Sequence, residues 1–232
     1  MKKVIIEENI FEKYLDFNRG LIVIESISND AQNAAIDELL ANEIMRRSGQ
    51  VLVDNEFVKA WDWVYESFGS NPNKYPPSIK SLARRIDKGG KIPFINSVVA
   101  LFNYISIKYL VPCGGDDTDM IRGNLKLAFA AGNETFTPLG GGMPEKPDIG
   151  EIIYFDDASL NVMCRRWNWR NGDFTKIMPE TKRIIINVDG ISPVPYSLII
   201  SARDELAELL KKHCQAELLT GLLSVNNREM EI

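Results

Sequence analysis

The sequence predicts an α+β fold in a single unit, on three observations. Apolar residues recur at helical spacing through the first half of the chain, up to Leu110. From Asn124 the periodicity changes from helix to strand, in short β-rich runs punctuated by Gly, Pro and Asp. A further helical stretch lies near the C-terminus. The expected architecture is a largely helical first half, a β-rich second half forming packed mixed sheets, and a C-terminal helix, all one domain over residues 1–232.

The opening, through "GLIVIESIS", reads as short strands separated by a charged turn. "DAQNAAIDELLANEIMRRSG" has helical spacing at Ala35, Leu39 and Ile44, with Asp30 as its expected cap and Gly49 just past its end. "NEFVKAWDWVYESFG" is a second helix closed by a glycine, and "SNPNKYPP" is a loop. In "SIKSLARRIDKGG", Ile79, Leu82, Ala83 and Ile86 share one side, while Lys80, Arg84 and Lys88 stripe the other. The next helix is apolar nearly all round. Its main stripe is Ile95, Val98, Val99, Phe102, Ile105 and Tyr109, which makes it a central helix. Asn96 and Asn103 share a face of it; buried amides need partners, and the first reading is that these tie neighbouring loops together, the second that they contact a ligand. "NLKLAFA", "GEIIYFDD", "SLNVMCRRWNW" and "KRIIINVDG" are the β-rich runs, with "TFTPLGGGMPEKPDIG" a long loop among them. A helix from Pro195 to His213 and a strand in "ELLTGLLSV" complete the chain.

Composition excludes several function classes. The chain has 45% hydrophobic and 25% charged residues, with no apolar run of the roughly 20 residues that a membrane helix requires. No membrane partner is expected, and a cytoplasmic location follows from the absence of a convincing signal peptide. Cys113, Cys164 and Cys214 are widely spaced and odd in number, which fits reduced thiols. His213 is the only histidine, so a classical zinc site and histidine-dependent nucleophiles are not expected. The loop "TPLGGGMPEKP" lacks the strand-to-helix context and lysine of a P-loop, and no metal or cofactor is expected. A net charge of −5 means that any RNA contact must come from a local patch.

Two stretches carry candidate chemistry. "VPCGGDDTDMI" packs Gly114, Gly115, Asp116, Asp117 and Asp119 into an acid-rich turn directly after the apolar helix. It is a catalytic or cation-binding loop, a substrate-recognition loop, or a tight connection capped by aspartates. The spacing does not match a calcium loop, and composition favours the capped turn. In "CRRWNWRNGD", strand alternation puts Cys164, Arg166, Asn168 and Arg170 on one face, with Arg165, Trp167 and Trp169 on the other. The first face suits phosphate or carboxylate; the tryptophans either stack on bases or pack into the core.

The stretch "IPFINSVVALFNYISIKYLVPCGGDDTDMI" resembles a segment of the bacterial phenylalanyl-tRNA synthetase β chain that reads R-P-x-N-x-V-V-D-x-T-N-Y-V-x-x-E-x-G-Q-P-x-H-A-F-D. The matches are Asn96, Val98, Val99, Asn103, Tyr104, Pro112 and Asp117. "PETKRIIINVDG" is similar to the family's ET-x-x-V-L-L-E strand. The resemblance covers residues 77–213 and points to the tRNA-binding and editing module, the B3/4 domain; free-standing relatives with "GGDD"-like and "RRWNWR"-like stretches look closer still. It implies binding of a tRNA or aminoacyl-tRNA end and hydrolysis of a mischarged ester in trans, as translation quality control. Gly114 stands at the family's editing histidine and Asn187 at the glutamate that reads the tyrosine hydroxyl, so tyrosine-specific editing is not expected in the family's own form. Aminoacylation is not expected either.

On that basis Asp116 and Asp117 are the expected catalytic residues, contacting the aminoacyl ammonium or holding a water. Gly114, Gly115, Asn103 and Asn187 would line the pocket, while Arg166, Asn168 and Arg170 meet phosphate or ribose. The competing expectation is a non-catalytic binder of a small amino-acid-like ligand in the same cavity.

Overall fold

Helix α5 (Ser97–Tyr109) organises the molecule because almost none of its surface is polar. Val98, Ala100, Leu101, Phe102, Ile105 and Ile107 are all buried, so other elements must cover every side of it. Helices α2 (Ala34–Arg47) and α6 (Tyr196–Cys214) pack against it. Its N-terminus is capped by Asn96, whose Oδ1 accepts from Val99 N at 2.9 Å. Its C-terminus is closed by Leu110 in the left-handed conformation, with Ser106 Oγ donating to Val111 O at 2.5 Å. That closure turns the chain directly into a strand.

The computed structural model describes residues 2–232. Strand β1 (Lys3–Ile6), helix α1 (Glu8–Lys13) and strand β2 (Asn18–Ser26) precede α2. Helices α3 (Glu56–Ser67) and α4 (Ser78–Asp87) lead to α5. Then follow β3 (Cys113–Asp117), β4 (Leu125–Phe129), β5 (Ile152–Asp156), β6 (Val162–Arg165), β7 (Arg170–Asn171) and β8 (Ile184–Gly190). After α6 come β9 (Glu217–Leu223) and β10 (Glu229–Glu231). The strands form an antiparallel four-stranded sheet, β3-β8-β2-β9, and a mixed six-stranded sheet, β10-β1-β4-β5-β6-β7, in which β1 and β4 run parallel. One continuous apolar core serves both sheets and the helices. The α+β expectation, with mixed sheets and a late helix, holds.

Several local expectations change. The charged turn near the N-terminus is α1, and the cap of α2 is Asn33 rather than Asp30. Ile95 lies outside α5 and is exposed. Lys80, expected on the solvent stripe of α4, is buried and paired with Asp62 at 2.7 Å. The acid-rich turn is strand β3. Gly-Gly-Asp-Asp has low strand propensity, but the apolar run Ile184–Ile186 of β8 needs a partner on that side, and packing overrides propensity. The alternation expected in "CRRWNWRNGD" fails because β6 ends at Arg165. Arg166 and Trp167 both adopt left-handed conformations, with φ of 48° and 69°. Trp167 thereby turns into the core, edge-on to Tyr14, Phe17 and Trp61.

The two asparagines of α5 have different fates. Asn96 ties a loop, its Nδ2 donating to Ile177 O at 3.0 Å, whereas Asn103 lines a cavity. Asn96→Ala removes a helix cap and orphans a buried carbonyl together. We expect a loss of about 2–3 kcal/mol in urea unfolding, against ~1 kcal/mol for a cap alone.

Candidate functional site

Residues directly opposite one another in an antiparallel sheet share a face. In the four-stranded sheet Arg19 opposes Asp189, Leu21 opposes Asn187, and Asn187 opposes Gly114. Asp116 lies two residues further along β3 on that same face. The polar patch so formed is the floor of a cavity of about 520 Å³. Tyr154 of β5 and its cross-strand partner Cys164 of β6 line it from the other sheet. Helix α4 contributes Ser78, Ser81 and Arg85 to the lining, and Leu139 and Arg170 come from the β-rich half.

The floor is built on a buried ion pair. Arg19 donates from Nε and Nη2 to the two carboxylate oxygens of Asp189, at 2.7 and 2.8 Å. Trp167 Nε1 donates to the same carboxylate at 3.1 Å. The guanidinium carbon lies 4.9 Å from the centre of the Tyr154 ring. Four polar atoms of cavity-lining residues are buried and have no hydrogen-bond partner: Arg19 Nη1, Tyr154 Oη, Asn168 Nδ2 and Asn187 Oδ1. Three are donors and one is an acceptor, so the floor is equipped to hold a ligand bearing oxygens.

Asp116 is the one buried carboxylate of the cavity that lacks a cationic hydrogen-bond partner. Burial pushes its carboxyl up to about 6, against opposing effects of the Thr175 hydroxyl and the Arg19 charge. Thr175 Oγ1 donates to Asp116 Oδ1 at 2.5 Å. A carboxyl titrating there changes protonation just below neutrality, as a general base requires. Cys113 and Cys164 also line the cavity, but burial raises both thiols well above the ordinary thiol range, which leaves them protonated and unreactive. Among the described residues no group of three or more His, Cys, Asp or Glu is arranged to hold a metal ion.

Asn103, Gly114, Gly115, Asp116, Asn168, Arg170 and Asn187, singled out from the sequence, all line this cavity. Asp117 and Arg166 do not. The strand pleat sends Asp117 to the opposite face, where it accepts from Thr181 Oγ1 and Asp119 N, both at 2.9 Å. Arg166 is buried behind the cavity wall, 3.9 Å from the Tyr75 ring centre and hydrogen-bonded to Asp148 at 2.7 Å. Its positive φ removes it from the expected face. Sequence reasoning missed Arg19, Tyr154, Asp189 and Arg85. A tyrosine within "EIIYFDD" and a charge at each end of an apolar strand were the available signals, but the Arg19–Asp189 pairing spans 170 residues.

A family model described as the B3/4 domain matches residues 60–215. The phenylalanine–tRNA ligase beta subunit of Fusobacterium nucleatum subsp. nucleatum is 30% identical over 112 residues, which are 48% of this chain and 13% of that protein. The crystal structure of an N-terminal fragment of the phenylalanyl-tRNA synthetase beta-subunit from Pyrococcus horikoshii matches with a TM-score of 0.50. That match has 14% identity and covers 93% of this chain and 49% of the fragment; it is a likeness of fold.

Two stability measurements probe the floor. Asp189→Ala leaves the Arg19 charge buried and unpaired, and denaturant unfolding should show a loss of about 3–5 kcal/mol. For Asp116 the folded value, about 6, lies above the ordinary 3.8, so folding favours the protonated form. That contribution is complete below the unfolded value and is lost as pH rises through about 6. Asp116→Asn is therefore expected to gain on the parent by roughly 2–3 kcal/mol between acid and neutral pH, read from thermal unfolding at a series of pH values.

Proposed function

Because the chain belongs to the B3/4 domain family, we propose that its inter-sheet cavity receives the aminoacyl end of a tRNA and that Asp116 directs hydrolysis of a mischarged ester there. The observation carrying this reading is the polar floor, where a titratable carboxylate lies beside uncommitted donors in a cavity open at its rim. Water attacks the ester carbonyl as Asp116 takes its proton. The carbon–oxygen bond to the ribose then breaks, and the proton passes to the ribose oxygen. Arg19 Nη1 and the Tyr154 hydroxyl receive the charge developing on the carbonyl oxygen. Asn187 and Asn103 contact the amino acid, with the backbone of Gly114 and Gly115 along its side. Asn168 meets the ribose, and Arg85 and Arg170 meet the terminal phosphates at the rim. A cytoplasmic place in translation quality control goes with this activity. The curated relative is a ligase subunit of which this chain spans 13%, so neither aminoacylation nor subunit assembly is carried over.

A second reading has its own support. The spare donors of Arg19 and Tyr154 would equally satisfy a free carboxylate, and Asp116 an ammonium group, in a protein of net charge −5. That describes a non-catalytic binder of a small amino-acid-like ligand.

Deacylation of a panel of mischarged tRNAs separates the two. The first reading expects a rate that rises through pH about 6 and then levels, and a loss of about 100-fold or more in Asp116→Asn. It also expects Gly114→Leu to abolish activity with little change in Tm, since a Cβ at Gly114 meets no atom within 4 Å. Absence of both deacylation and RNA binding at low salt, with a free amino acid raising the Tm, establishes the second reading instead.

A further inference from the structure

The charge of the chain is distributed unevenly along it. Although the net charge is −5, residues 67–115 contain seven basic residues and one acid. That acid, Asp87, is committed elsewhere: its carboxylate accepts from the backbone N–H groups of Leu52 and Val53 at 2.9 and 3.1 Å. Of the seven cations, only Lys80 and Lys108 are ion-paired among the described residues, to Asp62 and Glu205. Lys74, Arg85, Lys88 and Lys91 are exposed. Arg84 makes its hydrogen bond to a neutral partner, Asn73 Oδ1, at 2.8 Å.

These free cations lie along one path. Ser78, Ser81, Leu82 and Arg85 place one face of α4 on the cavity rim. Arg84 and Lys88 are one helical turn apart beside that face. The chain beyond α4 turns sharply, with Gly89 at φ +69° and Gly90 N donating to Arg85 O at 2.8 Å. A Cβ at Gly90 would stand 2.9 Å from Arg85 Cγ, so the turn packs against the Arg85 stem and carries Lys91 on beyond it. Cations near a helix C-terminus also favour the helix dipole, and that accounts for part of Arg84, Arg85 and Lys88. It does not account for Lys74 or Lys91, which are outside the helix.

We propose that the C-terminal half of α4 and the turn after it form a phosphate-backbone track, which guides the RNA strand whose end enters the cavity. This rests on the reading above and adds the surface that grips the nucleic acid at a distance from the reacting ester. The chemistry is that of a sequence-independent polyanion contact: cations in a row with no ion-pair partner, the one acid among them, Asp87, being turned to the backbone N–H groups of Leu52 and Val53. Arg85 stands at the rim, but Arg84, Lys88 and Lys91 line no part of the cavity, so affinity for RNA is separable from occupancy of the cavity.

The test is tRNA binding by the full chain as a function of salt. In the combined variant Arg84→Gln, Lys88→Gln, Lys91→Gln, the affinity at moderate salt is expected to fall on the order of tenfold, and the slope of log affinity against log salt to fall by about 2, as for three lost phosphate contacts. Gly114→Leu, which obstructs only the cavity, should keep the wild-type slope. Lys211→Gln with Lys212→Gln, at the end of α6, should change neither quantity. Wild-type binding with an unaltered slope in the triple variant overturns the track and leaves the cavity reading standing. An equal loss in the α6 control also overturns it. No binding of tRNA by the wild type at low salt overturns both.

Discussion

The site depends on one buried carboxylate. Asp189 takes two hydrogen bonds from Arg19 and a third from Trp167, and so joins β2, β8 and the turn after β6 at a single point. The first two belong to the four-stranded sheet and the third to the edge of the other, so this group links the two walls of the cavity. A buried ion pair of this kind is a weak source of net stability, because desolvation of both charges offsets their attraction. An apolar pair of similar volume would close the gap between the sheets with core. The charged pair leaves polar groups facing open space, including one guanidinium nitrogen with no protein partner.

Most of the fold was legible in the sequence because its signals are local. The all-round apolar character of α5, the closing glycines of the earlier helices, and the strand-like runs of β4, β5 and β8 each depend on a few neighbouring residues. Where legibility failed, a distant segment made the decision. Gly114 and Gly115 belong to a strand because β8 offers them an apolar ladder some 70 residues later in the chain. Trp167 leaves its expected face because the aromatic cluster of Tyr14, Phe17 and Trp61 receives it. The site divides in the same way. Asp116 and Asn187 were accessible through their place in a recognisable pattern, whereas Arg19 and Tyr154 acquire meaning only once the two sheets face each other.

Asp116 and Asp117 show how much of a residue's chemistry comes from the pleat. The two are identical and adjacent, and differ by one step of strand alternation. One enters the cavity, loses its water and titrates near 6. The other faces outward, caps the 3-10 turn that follows and steadies Thr181. A slip of one residue in the pairing of β3 with β8 would exchange them. The close fit of Gly115 against Ile185 O, 2.7 Å from where a Cβ would stand, opposes that slip, since the exchanged register would force a side chain into the ladder.

Gly114 has the opposite property. Nothing lies within 4 Å of its missing Cβ, and its backbone is ordinary strand. Side-chain size at this position is therefore uncoupled from the packing of the core, where a single added methylene is usually resisted. In evolutionary terms the position is a free variable: a lineage could resize what the cavity admits by one substitution, with no compensating change in the scaffold. Selection on ligand choice and selection on folding would then act at different residues of the same strand, which allows one architecture to diverge in specificity while its stability stays fixed.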